Sequence, residues 1–359
     1  MSINKESNTV AAKFQVFEAS KNPFSFKEKE FSKALAPKET LVEIKLSTIC
    51  GSDIHTIEGK RKEDAPCILG HEAVGEIIAT NGRDGFSVGD RVTWTIADSC
   101  GQCPACTEYG LPEKCDQLFK YGHASISNGS GLNGCYSTHI LIRPGTHMVK
   151  IPNSISDSVA APANCALATM VNAVSKISVN PKRAVIQGGG LLGLYACALL
   201  KKMGVSQVYC LEVNETRFDL IKKFGATPVD AKNSQAIDSI LKQAGDGVDV
   251  VFEVAGIKEL IPQGIQLLRP GGDYILVGLV HPNSELGITA EQIIRKCITI
   301  KGVHNYAPWH LEEAVAFLER NQSIFPFKAL VSPAYRLKDL KTAVLEAKTQ
   351  KWMRVSIKP

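Results

Sequence analysis

Four cysteines lie within sixteen residues, as Cys100-x2-Cys103-x2-Cys106-x8-Cys115. Four thiolates so close suit a closed tetrahedral zinc site, which leaves no room for a substrate and pins a long loop. A redox-active C-x-x-C pair is the competing chemistry, and four clustered thiols favour the metal. A second constellation is spread more widely. Cys50-Gly51-Ser52-Asp53 begins twenty-one residues before His71, which stands in Gly70-His71-Glu72. A cysteine and a histidine from separate segments supply part of a reacting zinc site, which needs three protein ligands and one open position. Spacing alone does not identify the third.

A third constellation handles phosphate. The run Ala184–Gln187 opens directly into Gly188-Gly189-Gly190-Leu191-Leu192-Gly193, a G-x-G-x-x-G turn between a strand candidate and a helix candidate. Gly188 makes the tight turn, Gly190 lets the backbone approach a pyrophosphate, and Gly193 permits close packing of helix on strand. The helix N-terminus then offers unpaired N–H groups to the phosphates. The following strand ends at Glu212, about 20 residues past the turn, where a carboxylate accepts both ribose hydroxyls and repels a 2′-phosphate. NAD is therefore expected over NADP, with Arg217 placed to stack on adenine or to shield that charge.

Such residues need a scaffold. Up to about Lys150 the chain reads as short strands broken by turns: Leu41–Leu46, Ala73–Ala79, then Gly85–Arg91 as turn before Val92–Ile96. Seven of the eleven cysteines fall in this part. The style changes near Pro162. From Arg183 to about Val280, strands at Ala184–Gln187, Val208–Glu212, Val248–Val254 and Tyr274–Leu279 alternate with helices from Leu191 and through Arg217–Phe224, the pattern of a doubly wound parallel sheet. Leu311–Arg320 reads as an amphipathic helix and Trp352–Ile357 as a last strand.

At 359 residues, two domains are expected. The net charge of +5 (41 basic minus 36 acidic residues) is spread along the chain without basic runs, which disfavours nucleic acid as a partner. An odd number of cysteines argues against a disulfide framework and for a reducing compartment. Met1–Ala12 is largely polar and unlike a signal peptide, and the apolar run Leu191–Leu200 is too short to span a bilayer. The expectation is a cytoplasmic protein with no membrane partner.

Several motifs in order resemble the zinc-dependent alcohol dehydrogenases of the medium-chain dehydrogenase/reductase superfamily: Cys50-Gly-Ser-Asp-x-His55, Gly70-His-Glu72, Gly89-Asp-Arg-Val92, the cysteine lobe, the glycine turn and Val277-Gly278. The resemblance covers nearly the whole chain. It implies an α/β fold, a Rossmann doubly wound parallel sheet plus a mainly β GroES-like catalytic domain. The expected divisions are 1–155 (catalytic, with the zinc lobe), 156–303 (NAD-binding) and 304–359 (return to the catalytic domain). It implies two zinc ions per chain, one catalytic and one structural, with Cys165 as third catalytic ligand beside Cys50 and His71. Asp53 would orient the ligand histidine, and Glu72 would approach the metal during ligand exchange. Thr169, Val277 and Arg354 would meet the cofactor, Arg354 at its pyrophosphate.

The implied reaction moves a hydride between an alcohol and NAD, giving an aldehyde or ketone. Ser52 would take the hydroxyl proton and pass it through the cofactor ribose towards His55. A homodimer or homotetramer acting on a small molecule is expected. One departure bears on Cys115: eight residues separate it from Cys106, where the family usually has seven. Gly110-Leu-Pro-Glu-Lys-Cys115, Tyr121-Gly-His123 and Pro162-Ala-Asn-Cys165 are similar to a subgroup associated with phosphonate catabolism. Two rivals stand beside this reading: a zinc-free, NADPH-dependent enoyl or quinone reductase on the same fold, and a zinc-stabilised binding protein without catalysis.

Overall fold

A computed structural model describes residues 8–19 and 23–359. Residues 1–7, most of the stretch read above as unlike a signal peptide, lie outside the described residues. The chain forms two compact units. One comprises the chain up to Cys165 with Ala307–Gln322 and Phe327–Pro359; the other comprises Ala166–Tyr306 with Ser323–Pro326.

The first unit is built on a seven-stranded sheet. Its path runs Tyr335–Arg336, Val355–Lys358, Thr40–Ile49, Glu72–Thr80, Arg91–Trp94 and Met148–Lys150, with His139–Ile142 also paired to Thr40–Ile49. Alternation along Thr40–Ile49 explains its central place. Val42 and Ile44 enter a core with Ile77, Val92, Trp94 and Ile140, while Leu41 and Ile49 face a second core with Leu69, Tyr136, Val355 and Ile357. A hairpin of Thr9–Phe17 and Phe24–Ser32 adds Phe14, Val16 and Phe24 to that second core.

The expected boundary at 155/156 falls ten residues before the observed change of unit at Cys165. Polar ties explain the difference. Arg91 donates to the Ile155 carbonyl (3.0 Å) and to Asp157 Oδ1 (2.6 Å), and Asn164 donates to the carbonyls of His71 (3.0 Å) and Trp94 (2.9 Å). Residues 156–165 are thereby fastened to the first unit.

The second unit is a six-stranded parallel sheet in the order Thr227–Asp230, Gln207–Glu212, Arg183–Gln187, Val248–Glu253, Leu268–Leu276, Thr299–Gly302. This is the 3-2-1-4-5-6 order of a dinucleotide-binding sheet, with the reversal beside the first strand. Tyr209, Val251 and Tyr274 pack with Ile240 and Ile261 from the flanking helices. Strands expected at Val248–Val254 and Tyr274–Leu279 are found as Val248–Glu253 and Leu268–Leu276. The latter starts earlier because its Arg-Pro-Gly-Gly stretch, which reads as a turn, is drawn into an irregular register against its neighbour. Among the described residues no helix is long and apolar enough to cross a membrane.

Candidate metal and cofactor sites

Cys50 sits at the N-cap of the helix Gly51–Ile57, directly after the strand Thr40–Ile49. His71 immediately precedes the strand Glu72–Thr80, and Cys165 follows the short helical turn Ala161–Asn164. These three chain positions converge. Cys50 Sγ lies 4.0 Å from Cys165 Sγ, and Cys165 Sγ lies 3.5 Å from His71 Nε2. One ligand atom each from Cys50, His71, Glu72 and Cys165 fall within 4.8 Å of one another. Tetrahedral zinc bonded to sulfur at about 2.3 Å and nitrogen at about 2.0 Å needs S–S edges of about 3.8 Å and S–N edges of about 3.5 Å. The donor set fits that ion.

The surroundings hold the donors. Asp53 is fully buried; its Oδ2 accepts from the Cys50 N–H (2.9 Å) and the Tyr136 hydroxyl (2.8 Å), and its Oδ1 stands 3.5 Å from His71 Nδ1. Burial by itself would push the His71 imidazole down, but the Asp53 carboxylate and Cys50 outweigh it and raise it to about 10. Cys50 and Cys165 face each other across a sulfur–sulfur hydrogen bond, which draws the Cys50 thiol down and drives the Cys165 thiol up. A divalent cation binds both as thiolates, and its binding releases protons.

Glu72 is a carboxylate with no exposure, which is tolerable only because it is paired. Arg354 meets it side-on, Nε to Oε2 at 2.7 Å and Nη2 to Oε1 at 2.9 Å, and Thr48 Oγ1 donates to Oε2 at 2.5 Å. Burial pushes the Glu72 carboxyl up even so, and Glu72 holds Arg354 well above its ordinary range against the effect of burial. The remaining donors of Arg354, which the resemblance places at the cofactor pyrophosphate, reach Met353 O at 3.0 Å and Cys50 Sγ at 3.5 Å. Ser52, half-buried, and His55, exposed, stand three residues apart on one short helix, a spacing that puts them on one face.

His123 carried no expectation from spacing, yet its ring stacks on His71, centroids 5.3 Å apart at 25°. Its Nδ1 is 2.7 Å from Glu63 Oε1, and burial pushes its imidazole down to about 4. The nearest thing to a signal is Gly122, whose φ is +74° and where a Cβ would sit 2.5 Å from the Gly70 carbonyl oxygen. Only glycine lets the two segments touch there.

The cysteine lobe gathers its four sulfurs within 4.8 Å, Cys115 included despite the longer spacing. Cys103 Sγ is 3.6 Å from Cys106 Sγ and 3.9 Å from Cys115 Sγ, again tetrahedral edges. Backbone N–H groups of Cys100 (3.2 Å) and Gln117 (3.3 Å) point at Cys115 Sγ, and that of Cys103 (3.4 Å) at Cys100 Sγ. No substrate could enter between four sulfurs.

In the second unit the glycine turn leaves the strand Arg183–Gln187 and enters the helix Leu191–Met203. A Cβ on Gly193 would lie 1.9 Å from the Gly188 carbonyl oxygen, whereas one on Gly190, the helix N-cap, would meet nothing within 4 Å. Gly193 packs and Gly190 opens. Glu212 Oε1 accepts from the N–H groups of Val213 and Asn214 (2.8 Å each), and Oε2 from Gly189 N–H and Arg217 Nη1 (3.0 Å each). Thr169 is half-buried in the helix Ala166–Ser175, and Val277 is buried, its N–H donating to the Glu253 carbonyl at 3.0 Å.

Comparison with known proteins agrees with this arrangement. Residues 36–153 match the family model of an alcohol dehydrogenase GroES-like domain, and residues 192–320 that of a zinc-binding dehydrogenase. The chain is 31% identical to a sorbitol dehydrogenase of Halalkalibacterium halodurans, covering 89% of this chain and 91% of that one. It is 30% identical to an L-threonine 3-dehydrogenase of Vibrio cholerae serotype O1, covering 75% and 77%. An alcohol dehydrogenase structure from Thermotoga maritima superposes with a TM-score of 0.92 at 28% identity, covering 98% of this chain and all of that one. The chain therefore belongs to the zinc-dependent alcohol dehydrogenases of the medium-chain dehydrogenase/reductase superfamily.

Proposed function

We propose that the protein oxidises an alcohol or polyol with NAD, using a catalytic zinc held by Cys50, His71 and Cys165 and a structural zinc held by Cys100, Cys103, Cys106 and Cys115. The observation that carries this reading is the convergence of two thiols and an imidazole nitrogen from three distant positions onto one point, with a fourth direction left to a carboxylate that is tied back. A zinc ion held there would supply Lewis acidity to an alcohol oxygen, and a bound nicotinamide would supply the hydride acceptor.

The chain's own residues do the rest. Asp53 holds the His71 ring through Nδ1, leaving Nε2 for the metal. Thr48 and Arg354 restrain Glu72, so that it approaches the metal only when they let go. Ser52 Oγ would take the substrate proton as its own hydroxyl proton moves on towards His55, which is exposed a turn later and would release a proton to water. Gly188, Gly190 and Gly193 shape the pyrophosphate turn, Thr169 and Val277 approach the nicotinamide, and Arg217 covers the adenine. Glu212 stands for NAD over NADP because a 2′-phosphate would be brought against a carboxylate 5% exposed.

Eleven free thiols favour a reducing compartment, and the cytoplasm is the place proposed. The edge strand Thr299–Gly302 offers unpaired backbone groups to a second copy, in keeping with a homo-oligomer. Elemental analysis and paired rates with NAD⁺ and NADP⁺ test the proposal. Two zinc ions per chain and faster turnover with NAD⁺ are expected; one zinc or none, or a clear NADP⁺ preference, would overturn the corresponding part.

A further inference from the structure

Two contacts bear on the ring of His71. Its Nδ1 faces Asp53 Oδ1 at 3.5 Å, longer than the roughly 3.2 Å at which most N–H···O bonds end. Among the described residues neither atom has another hydrogen-bond partner. An edge contact of that length sets where the ring sits more than how it is turned about its Cβ–Cγ bond. The second contact is on the face. His123 lies over His71 with centroids 5.3 Å apart and planes 25° from parallel, and both residues are buried. A flat neighbour resists turning, because rotating either ring drives its edge into the face of the other.

His123 is itself fixed. Glu63 Oε1 lies 2.7 Å from His123 Nδ1 and 2.7 Å from Arg61 Nε, and Thr56 Oγ1 donates to it at 3.5 Å. A carboxylate paired with a guanidinium only accepts, so Nδ1 of His123 carries the proton. Thr56 belongs to the helix Gly51–Ile57, which Cys50 caps. The backbone seats the same loops against each other. Ile126 N–H donates to the Pro66 carbonyl at 2.9 Å, Cys135 N–H donates to the Gly70 carbonyl at 2.8 Å, and Gly122 has no room for a Cβ against Gly70. A continuous path of contacts leads from the Cys50 helix through Glu63 and His123 to His71.

From this path we infer that His123, anchored by Glu63, is a positioning residue for the reacting metal: its ring fixes the plane of the His71 imidazole and so the direction in which Nε2 is offered. The inference rests on the zinc reading above and gives the ligand histidine a second support. Asp53 meets the edge of the ring, and His123 braces its face. Zinc has no geometric preference from its d-electrons, so the angle at which the nitrogen arrives is left to the protein.

The test places cobalt(II) in the Cys50–His71–Cys165 site with zinc kept in the lobe. It follows the visible ligand-field bands of the cobalt and its retention against a chelator. His123→Leu fills the space without a flat face, His123→Phe keeps a flat ring without the anchor, and Glu63→Leu removes the anchor and leaves both rings. His123→Leu should shift the bands and weaken retention about tenfold or more. His123→Phe and Glu63→Leu should each fall between that variant and wild type, and the lobe zinc should stay in all three. Wild-type bands and retention in His123→Leu, or a His123→Phe no better than His123→Leu, would overturn the brace. Equal loss of lobe zinc and site cobalt would do the same. Should neither His123 variant fold, Glu63→Leu decides, and unchanged bands there overturn the inference. A wild-type protein in which cobalt finds no site outside the lobe overturns the zinc reading itself, and the brace with it.

Discussion

The two sulfur-rich sites differ in how the chain makes them. In the lobe, four ligands come from sixteen consecutive residues, and backbone N–H groups of the same loop aim at the sulfurs. At the other site the proposed ligands come from positions 50, 71 and 165, and what steadies those side chains is a buried set: Asp53, Tyr136, Glu72, Thr48 and Arg354. The lobe is local and closed on itself. The other site is assembled by the tertiary fold, and the carboxylate among its donors, Glu72, is paired with an arginine. A stabilising ion needs no more than the first design; a reacting ion needs donors whose position answers to the surrounding protein.

This contrast makes the two sites separable by mutation. The largest effect is expected from Cys165→Ala, which should lower kcat/KM by on the order of a thousandfold or more and take the metal content from two zinc ions to one, the lobe ion staying. Full activity in that variant would move the third ligand elsewhere. Cys106→Ser should do the converse. The lobe ion is lost, the melting temperature drops by about 5 °C or more, and turnover of the surviving folded fraction stays within about tenfold. If both ions left together in either variant, the sites would not be independent. The smallest effect belongs to Tyr136→Phe, which removes one donor from Asp53 and should weaken zinc retention at the reacting site roughly tenfold in chelator competition. The lobe ion should not notice, and equal loss from both sites would break the comparison.

How much of this could be read from the sequence follows the same division. The lobe and the glycine turn are local, so residue type and spacing suffice for both. Glu212 was legible too, because a strand of known rise must end where the turn's neighbour ends. Cys165 was not: only resemblance pointed to it, since the 94 residues from His71 encode no distance until the sheet of the first unit is folded. His123 and Glu63 left no pattern, because a ring stacked on another ring depends on two loops touching at Gly122. The strand Leu268–Leu276 began earlier than expected, since Pro270, Gly271 and Gly272 read as a turn when their neighbour Val248–Glu253 is not in view. Arg354 pairs with Glu72, 282 positions away, a partner that no local spacing could point to.

That long reach has a consequence for a chain emerging from the ribosome. The strand Val355–Lys358 lies inside the first unit's sheet, between Tyr335–Arg336 and Thr40–Ile49. Glu72 and Thr48 are made early and must wait through nearly three hundred residues of synthesis for the guanidinium that neutralises the carboxylate. The second unit, almost all of it the continuous stretch Ala166–Tyr306, has no such debt and can close first. The half of the protein that is translated first is therefore the half that is finished last.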